Sequence, residues 1–174
     1  MTGMITGCSS DDGGEEPIEG AETESSGSDE EQNGADEGQE ADVAALTDLY
    51  ETYWDALVQL DNSTDPDPAL LEGLATQSAT ETEISRMQAY HAQGIRRQGE
   101  PTFGDITVTV DGDTAIIEAC KSESDWQFVD ENGEEVEVEG DLTVREPNVV
   151  AAERSSDGWL IGDTLAMEEA TISC

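Results

Sequence analysis

ITVTVDGDTAIIEAC, residues 106–120, is the stretch that decides the fold. Apolar and polar residues alternate from Ile106 to Val110, and the DGD sequence at 111–113 then turns the chain. Thr114–Cys120 returns with mostly apolar and small residues. A period of two up to a glycine-containing turn, followed by an apolar return, predicts an antiparallel hairpin.

Three further strands are predicted after the hairpin. They are 126–129, 142–154 and 159–167, each rich in β-branched or aromatic residues and separated by turn residues. Pro147 interrupts the second of them. Because proline has no backbone N–H, it predicts a sheet edge or a bulge at that point.

Before the hairpin the apolar period is helical. A long amphipathic helix is predicted from Asp42, a candidate N-cap. A short helix starts at Pro68 and runs to about Ala75, and a third follows a capping box at 78–81 and ends near Gly94. The first helix carries an aromatic stripe: Val43, Leu46, Tyr50, Tyr53, Trp54, Leu57 and Leu60. Helices followed by an antiparallel sheet predict one segregated α+β domain over residues 43–174.

The segment before the domain is acidic and almost free of apolar residues. Residues 9–42 predict a disordered linker, because they cannot bury enough surface to offset the entropy of ordering. Ahead of it, the ITGC sequence at 5–8 resembles a bacterial lipobox, so residues 1–8 are interpreted as the remnant of a lipoprotein signal with Cys8 as the lipidated residue. We expect the coding sequence to begin further upstream. The alternative is an accidental cysteine near the N-terminus.

The net charge of this chain limits the partners that it can bind. It has 43 Asp and Glu against 6 Lys and Arg, a net charge of −37, and Lys121 is its only lysine. Such a surface repels nucleic acids and anionic lipid, so membrane contact is expected only through an N-terminal lipid anchor. Residues 43–174 alone carry −23. High salt would screen that repulsion, which predicts adaptation to a saline habitat; the alternative is drift toward acidity in a secreted protein.

Several features in order carry a family resemblance over about residues 43–174. They are Tyr53-Trp54, Gly94, Gly99, the DGDTA sequence at 111–115, Cys120, Trp126, Gly133, Asp157-Gly158-Trp159 and Cys174. With these the chain resembles small lipoproteins of high-GC Gram-positive bacteria that have an NTF2-like (SnoaL-like, cystatin-like cone) domain. The resemblance implies helices packed on a curved antiparallel sheet around a cone-shaped cavity. It does not imply one activity, because this scaffold hosts isomerases, cyclases, dehydratases and non-catalytic binders.

The cysteines differ in kind. With Cys8 assigned to a lipid, Cys120 and Cys174 remain in the folding region and predict a disulfide in an oxidising compartment. The alternatives are two free thiols or a dimer linked through Cys174.

Acids from Asp61 to Glu72 have the spacing of a calcium loop, but Pro66 occupies the position that needs glycine, so no metal site is expected.

No motif for cofactor or nucleophilic chemistry occurs, so neither a catalytic residue nor a cofactor is assigned. An isomerase-like site would need one buried carboxylate, and none stands out among so many acids. Possible pocket-lining residues are Tyr50, Trp54, Met87, Tyr90, Trp126 and Trp159. The sequence therefore predicts a non-enzymatic, extracytoplasmic lipoprotein that binds a small apolar ligand or a cell-envelope protein. The first alternative is an NTF2-like enzyme acting on a small hydrophobic molecule in the cone. The second is an acidic spacer or scaffold whose cone is filled by packed side chains.

Overall fold

The computed structural model describes residues 29–138 and 140–174. Cys8 and residues 9–28 of the predicted linker lie outside this part. Within it, no helix combines the length and the apolar character that a membrane span requires.

The first helix, α1, runs from Asp29 to Asn62. It therefore begins thirteen residues before Asp42, so Asp42 lies inside the helix and the expectation that it is the N-cap is wrong. Those residues are mostly Glu, Gln, Asp and Ala. Glu, Gln and Ala have high helix propensity. The predicted start relied on apolar periodicity, which begins only at Val43.

The apolar stripe of α1 forms one side of the core. Leu46, Leu57 and Leu60 are at most 2% exposed, and Tyr50 and Tyr53 are at most 3% exposed. Each fully buried leucine contributes roughly 1.5–3 kcal/mol relative to an exposed one. Burial of this stripe places α1 across the sheet that follows and confirms the helical periodicity of the sequence.

Only one of the two other predicted helices is an α-helix. Pro68–Leu71 forms a single 3-10 turn capped by Asp67, and Gly73, at φ 74°, prevents it from continuing to Ala75. The helix α2 runs from Gln77 to His91, and its N-cap is Thr76 rather than the predicted Ser78.

The end of α2 follows the prediction. Gly94 has φ 73°, its N–H donates to the His91 carbonyl, and the N–H of Ile95 donates to the Tyr90 carbonyl. These two bonds are those of a Schellman motif, so the predicted glycine cap is confirmed.

In the described part of the chain, the named strands pair antiparallel. They are β1 (Arg96–Gly99), β2 (Thr102–Asp111), β3 (Thr114–Ser122), β4 (Trp126–Val129), β5 (Glu146–Ser155) and β6 (Gly158–Thr164). One sheet has the order β2-β3-β5-β6, and β1 pairs with β4 in a second sheet. The predicted hairpin is confirmed, with Asp111 paired to Thr114 and Gly112 at φ 62°. The α+β fold, N-terminal helices packed on antiparallel sheet, is the one that the sequence predicts.

Three strand assignments differ from the prediction. The last strand, predicted to reach Met167, ends at Thr164, and Met167 begins a 3-10 turn. β1 was not predicted, because its sequence is RRQG and shows no apolar alternation. The strand predicted from residue 142 begins only at Glu146. Pro147 pairs with Cys120 on β3, whereas β6 joins β5 only from Val150 onward. Pro147 therefore lies where β5 has a single neighbour, which agrees with the expected local edge.

The C-terminal segment returns to β3. Cys120 and Cys174 form the predicted disulfide, with a Cα–Cα distance of 5.6 Å. Close by, the carboxylate of Glu118, 2% exposed, accepts hydrogen bonds from the N–H and the hydroxyl of Thr171, both at 2.6 Å. The last residues are thus fixed by one covalent bond and one buried polar contact.

Candidate functional site

A cavity of about 480 Å³ opens between the two helices and the sheets, and we call it the central cavity. One wall is aromatic: Tyr53 and Trp54 come from α1, Tyr90 from α2 and Trp126 from β4. The Trp54 and Trp126 rings meet edge to face, with centroids 6.0 Å apart. This volume and lining are typical of pockets for small molecules.

Basic residues are concentrated in this cavity. Arg86, Arg97 and Lys121 line it, so half of the six bases of the chain are in one place. Three acids accompany them: Glu83, Glu123 and Asp163. The lining is therefore close to neutral in a chain with a net charge of −37. Sequence reasoning missed these residues, although the single lysine was a signal.

Arg97 is buried in the wall of the cavity. Its guanidinium carbon lies 4.3 Å from the ring centroid of Trp126 and 3.7 Å from that of Phe128. One Nη donates to the backbone carbonyl of Trp126, and the other donates to Glu123 at 2.6 Å. Cation–π contacts and a charge-assisted hydrogen bond offset the desolvation of this arginine.

Glu123 bridges two cations. Its Oε2 accepts from Arg97, and its Oε1 lies 2.7 Å from Lys121 Nζ. Burial by itself would raise the pKa of Glu123, but Lys121 and Arg97 outweigh burial and hold that pKa below its usual value. Lys121 Nζ also lies 5.1 Å from the Trp54 ring centroid. Glu123 is therefore a stable carboxylate and a weak base.

A second ion cluster lies on the helical side. Arg86 donates to Asp61 at 2.7 Å and to Glu83 at 2.9 Å. Burial would lower the pKa of Arg86, but the charges of Asp61 and Glu83 outweigh it and raise the pKa. Asp61, the first acid of the calcium-loop spacing, is 2% exposed. It therefore serves as a buried partner of Arg86. Among the described residues, no group of three or more His, Cys, Asp or Glu is arranged to hold a metal.

Tyr50 and Tyr53 are buried and neutral. Burial raises the pKa of Tyr50 and of Tyr53, and the charge of Glu83 raises that of Tyr53 further. The Tyr50 hydroxyl donates to Asn148 at 2.7 Å. His91 is at the end of α2 and lines a separate surface pocket with Asp130. None of these groups forms a pair with a free carboxylate in the central cavity.

The six residues predicted to line a pocket do not lie together in the structure. Trp54, Tyr90 and Trp126 line the central cavity, whereas Tyr50 lines a second cavity of about 340 Å³ on the other side of Trp54. Met87 is 1% exposed in the core rather than at either cavity. Trp159 is also buried, and the Arg154 guanidinium lies over its ring. Helical spacing could not separate these cases, because core and cavity lie on the same face of each helix.

Comparison with known proteins adds fold information. No protein-family model matches the sequence, and a search of curated proteins found no match. The chain is similar to the intermembrane space region of the chloroplast protein ARC6, with 14% identity, TM-score 0.51, and coverage of 72% of this chain and 97% of that chain. It is also similar to the Kfla4162 protein from Kribbella flavida, with 15% identity, TM-score 0.48, and coverage of 72% and 89%.

A third solved structure is an NTF2-like protein with a cystatin-like fold from Novosphingobium aromaticivorans. It has 17% identity, a TM-score of 0.44, and coverage of 82% of this chain and 93% of that chain. Of these three structures, only the ARC6 region has a TM-score above 0.5. At these identities the likeness concerns fold, and function has to be argued from the central cavity.

Proposed function

We propose that this chain is an extracytoplasmic lipoprotein whose central cavity binds a small, largely apolar molecule without transforming it. The observation that carries the proposal is the lining of that cavity. Half of the bases of an extremely acidic chain meet there beside an aromatic wall. A surface adapted only for solubility has no reason to gather bases in a cavity, whereas a ligand site needs a few placed polar groups within apolar walls.

Ion pairing in the cavity supports binding over catalysis. An NTF2-like isomerase or dehydratase, the alternative, would need a carboxylate that is free to accept a proton. Glu83 and Glu123 are both ion-paired, and the pKa of Glu123 is held low by Lys121 and Arg97. Asp163 is exposed at the rim, where water solvates it. These acids are suited to fixing the shape and charge of a pocket.

The binding test uses a blocked cavity. Thr82 is exposed on α2 and lines the central cavity, so Thr82→Trp should fill its mouth. Ser85→Trp adds the same ring at an exposed position of the same helix that does not line the cavity. Small aromatic and aliphatic molecules found by ligand-observed NMR should bind the unmodified chain and Ser85→Trp. Their binding should be at least about tenfold weaker in Thr82→Trp, a loss of about 1.4 kcal/mol. Equal binding to both variants would contradict the proposal.

The location of the protein is a second part of the proposal. Cys8 in its lipobox-like sequence would carry the lipid, as in lipoproteins of high-GC Gram-positive bacteria, and the Cys120–Cys174 disulfide is compatible with an oxidising compartment. Expressed from an upstream start, the protein should partition into membranes, and Cys8→Ser should release it. Membrane-bound Cys8→Ser protein would show that this residue is not the anchor.

A further inference from the structure

Lys121 is the most unusual residue of the central cavity. It is the only lysine among 174 residues, and its side chain is 21% exposed in the wall of the cavity. An ammonium group has three N–H donors. Glu123 accepts at 2.7 Å, which leaves the other donors of Lys121 available to the cavity.

The wall around Lys121 has more donors and more positive charge than it can satisfy. Glu123 is one carboxylate shared by two cations, Lys121 and Arg97, so this cluster has a net charge of +1. Within the described residues, Nε1 of Trp126 and Nε of Arg97 are buried and have no hydrogen-bond acceptor. Trp126 and Arg97 are 2% and 7% exposed. Both N–H groups are closed off from the cavity, so an acceptor carrying negative charge would meet the free donors of Lys121 and balance the positive charge of the cluster.

The other ion cluster has the opposite balance. Arg86 is shared by two carboxylates, Asp61 and Glu83, so that cluster has a net charge of −1. Asp163, the third acid of the lining, is exposed to solvent, so Lys121 and Arg97 form the positive side of the cavity wall. A bound molecule with one anionic group would be oriented by this arrangement.

We infer that Lys121, supported by Glu123, Arg97 and Trp126, forms a subsite for the carboxylate of a ligand whose apolar body packs on the Trp54–Trp126 wall. The inference rests on the proposed function of the central cavity and adds the chemical class of the ligand. The net charge of −37 opposes the approach of an anion at low salt. At about 1 M salt the screening length is roughly 3 Å, so the short contact with Lys121 dominates.

The test compares three probes that share a naphthalene ring and differ in their polar group. They are 2-naphthoate, its neutral analogue 2-naphthamide, and the cation 2-naphthylmethylammonium, titrated calorimetrically into the full chain in about 1 M sodium chloride. 2-Naphthoate should bind at least about tenfold more tightly than 2-naphthamide, since its carboxylate forms an ion pair with the Lys121 ammonium group, whereas the amide carbonyl is a neutral acceptor. The cation should bind most weakly.

Variants then locate the effect. Lys121→Met should weaken 2-naphthoate about tenfold and 2-naphthamide by clearly less, because the anion loses an ion pair with the ammonium group whereas the amide carbonyl loses one hydrogen bond. Lys121→Arg keeps the charge and should retain most of the affinity. The matched control is Arg145→Met, which removes one positive charge from an exposed position that does not line the central cavity.

The outcomes separate the two proposals. If 2-naphthamide binds as tightly as 2-naphthoate, or if Arg145→Met weakens 2-naphthoate as much as Lys121→Met, the carboxylate subsite is wrong while the binding cavity stands. If none of the three probes binds the unmodified chain, both proposals are overturned. The comparison of probes on the unmodified chain decides the matter even if Lys121→Met does not fold.

Discussion

At the scale of single residues, Asp42 shows how local and tertiary roles differ. Its position before an apolar stripe predicts an N-cap, yet it lies within α1 and makes long-range contacts. Its carboxylate accepts from the Arg154 guanidinium and from Trp159 Nε1, the latter at 3.2 Å. The Arg154 guanidinium in turn lies over the Trp159 ring at 4.2 Å. Asp42 thus ties the middle of α1 to β5 and β6.

This contact gives a pH-dependent prediction. The hydrogen bond from Arg154, followed by that from Trp159, lowers the pKa of Asp42 from its usual 3.8. A lowered folded-state pKa means that the contribution to stability is complete above 3.8 and is lost as pH falls through the folded-state value. Asp42→Asn should therefore lower the melting temperature at neutral pH, and the difference from the unmodified chain should shrink below about pH 4.

Thermal melts from about pH 7 down to about pH 2.5 measure that difference. The control is Asp48→Asn, which removes an exposed carboxylate of the same helix. A difference that is constant with pH, or equal for the two variants, would mean that Asp42 does not form this contact in solution.

At the scale of elements, the C-terminal segment depends on β3. After β6 ends at Thr164, its regular structure is one 3-10 turn, Met167–Glu169. Its position is held by the bond from Cys174 to Cys120 and by Thr171 on the buried Glu118. The two cysteines are 54 residues apart in sequence, and because their bond persists on unfolding it restricts a large part of the unfolded chain.

Removing the disulfide should be costly. In the chain-entropy model a loop of this length contributes about 4 kcal/mol to the free energy of unfolding. Replacing both Cys120 and Cys174 by Ala should lower that free energy by about this amount in urea titrations. The unmodified chain in reducing agent is the matched control and should lose the same stability. A loss below about 1 kcal/mol would indicate that Thr171 and Glu118 hold the segment by themselves.

At the scale of the whole molecule, charge is the dominant property. The part from residue 43 onward carries a net charge of −23, while three of its six bases are used inside the central cavity. Few bases therefore remain to neutralise the surface. Folding brings the carboxylates closer together than they are in the unfolded chain, so their repulsion opposes folding.

Salt should therefore stabilise the protein. The melting temperature of the full chain, with its disulfide intact, should rise between about 10 mM and about 2 M sodium chloride. The rise should be steepest at the low end, where the screening length falls from about 30 Å to about 10 Å. Replacing the exposed Glu153, Asp157 and Glu168 by their amides should raise the low-salt melting temperature and flatten the curve. A melting temperature that is flat or falls with salt would contradict adaptation to a saline habitat.

Local pattern by itself determined the α+β order of the chain. The spacing of the α1 stripe, the DGD turn at 111–113 and the cap at Gly94 depend on contacts between near neighbours, so they can be read from the sequence. The disulfide could be predicted because two cysteines remained in the domain. The strand β1 could not be predicted, because its RRQG sequence has no apolar alternation and its pairing with β4 depends on contacts with distant residues.

Only the tertiary structure decided which residues form the central cavity. Arg86, Arg97 and Lys121 come from α2, β1 and β3, and no spacing in the sequence brings them together. Nor does the sequence distinguish Trp126, at the cavity, from Trp159, which stacks with Arg154. Both are apolar positions on regular elements. Whether such a position meets packed side chains or open space depends on how helices and sheets from distant parts of the chain fit together.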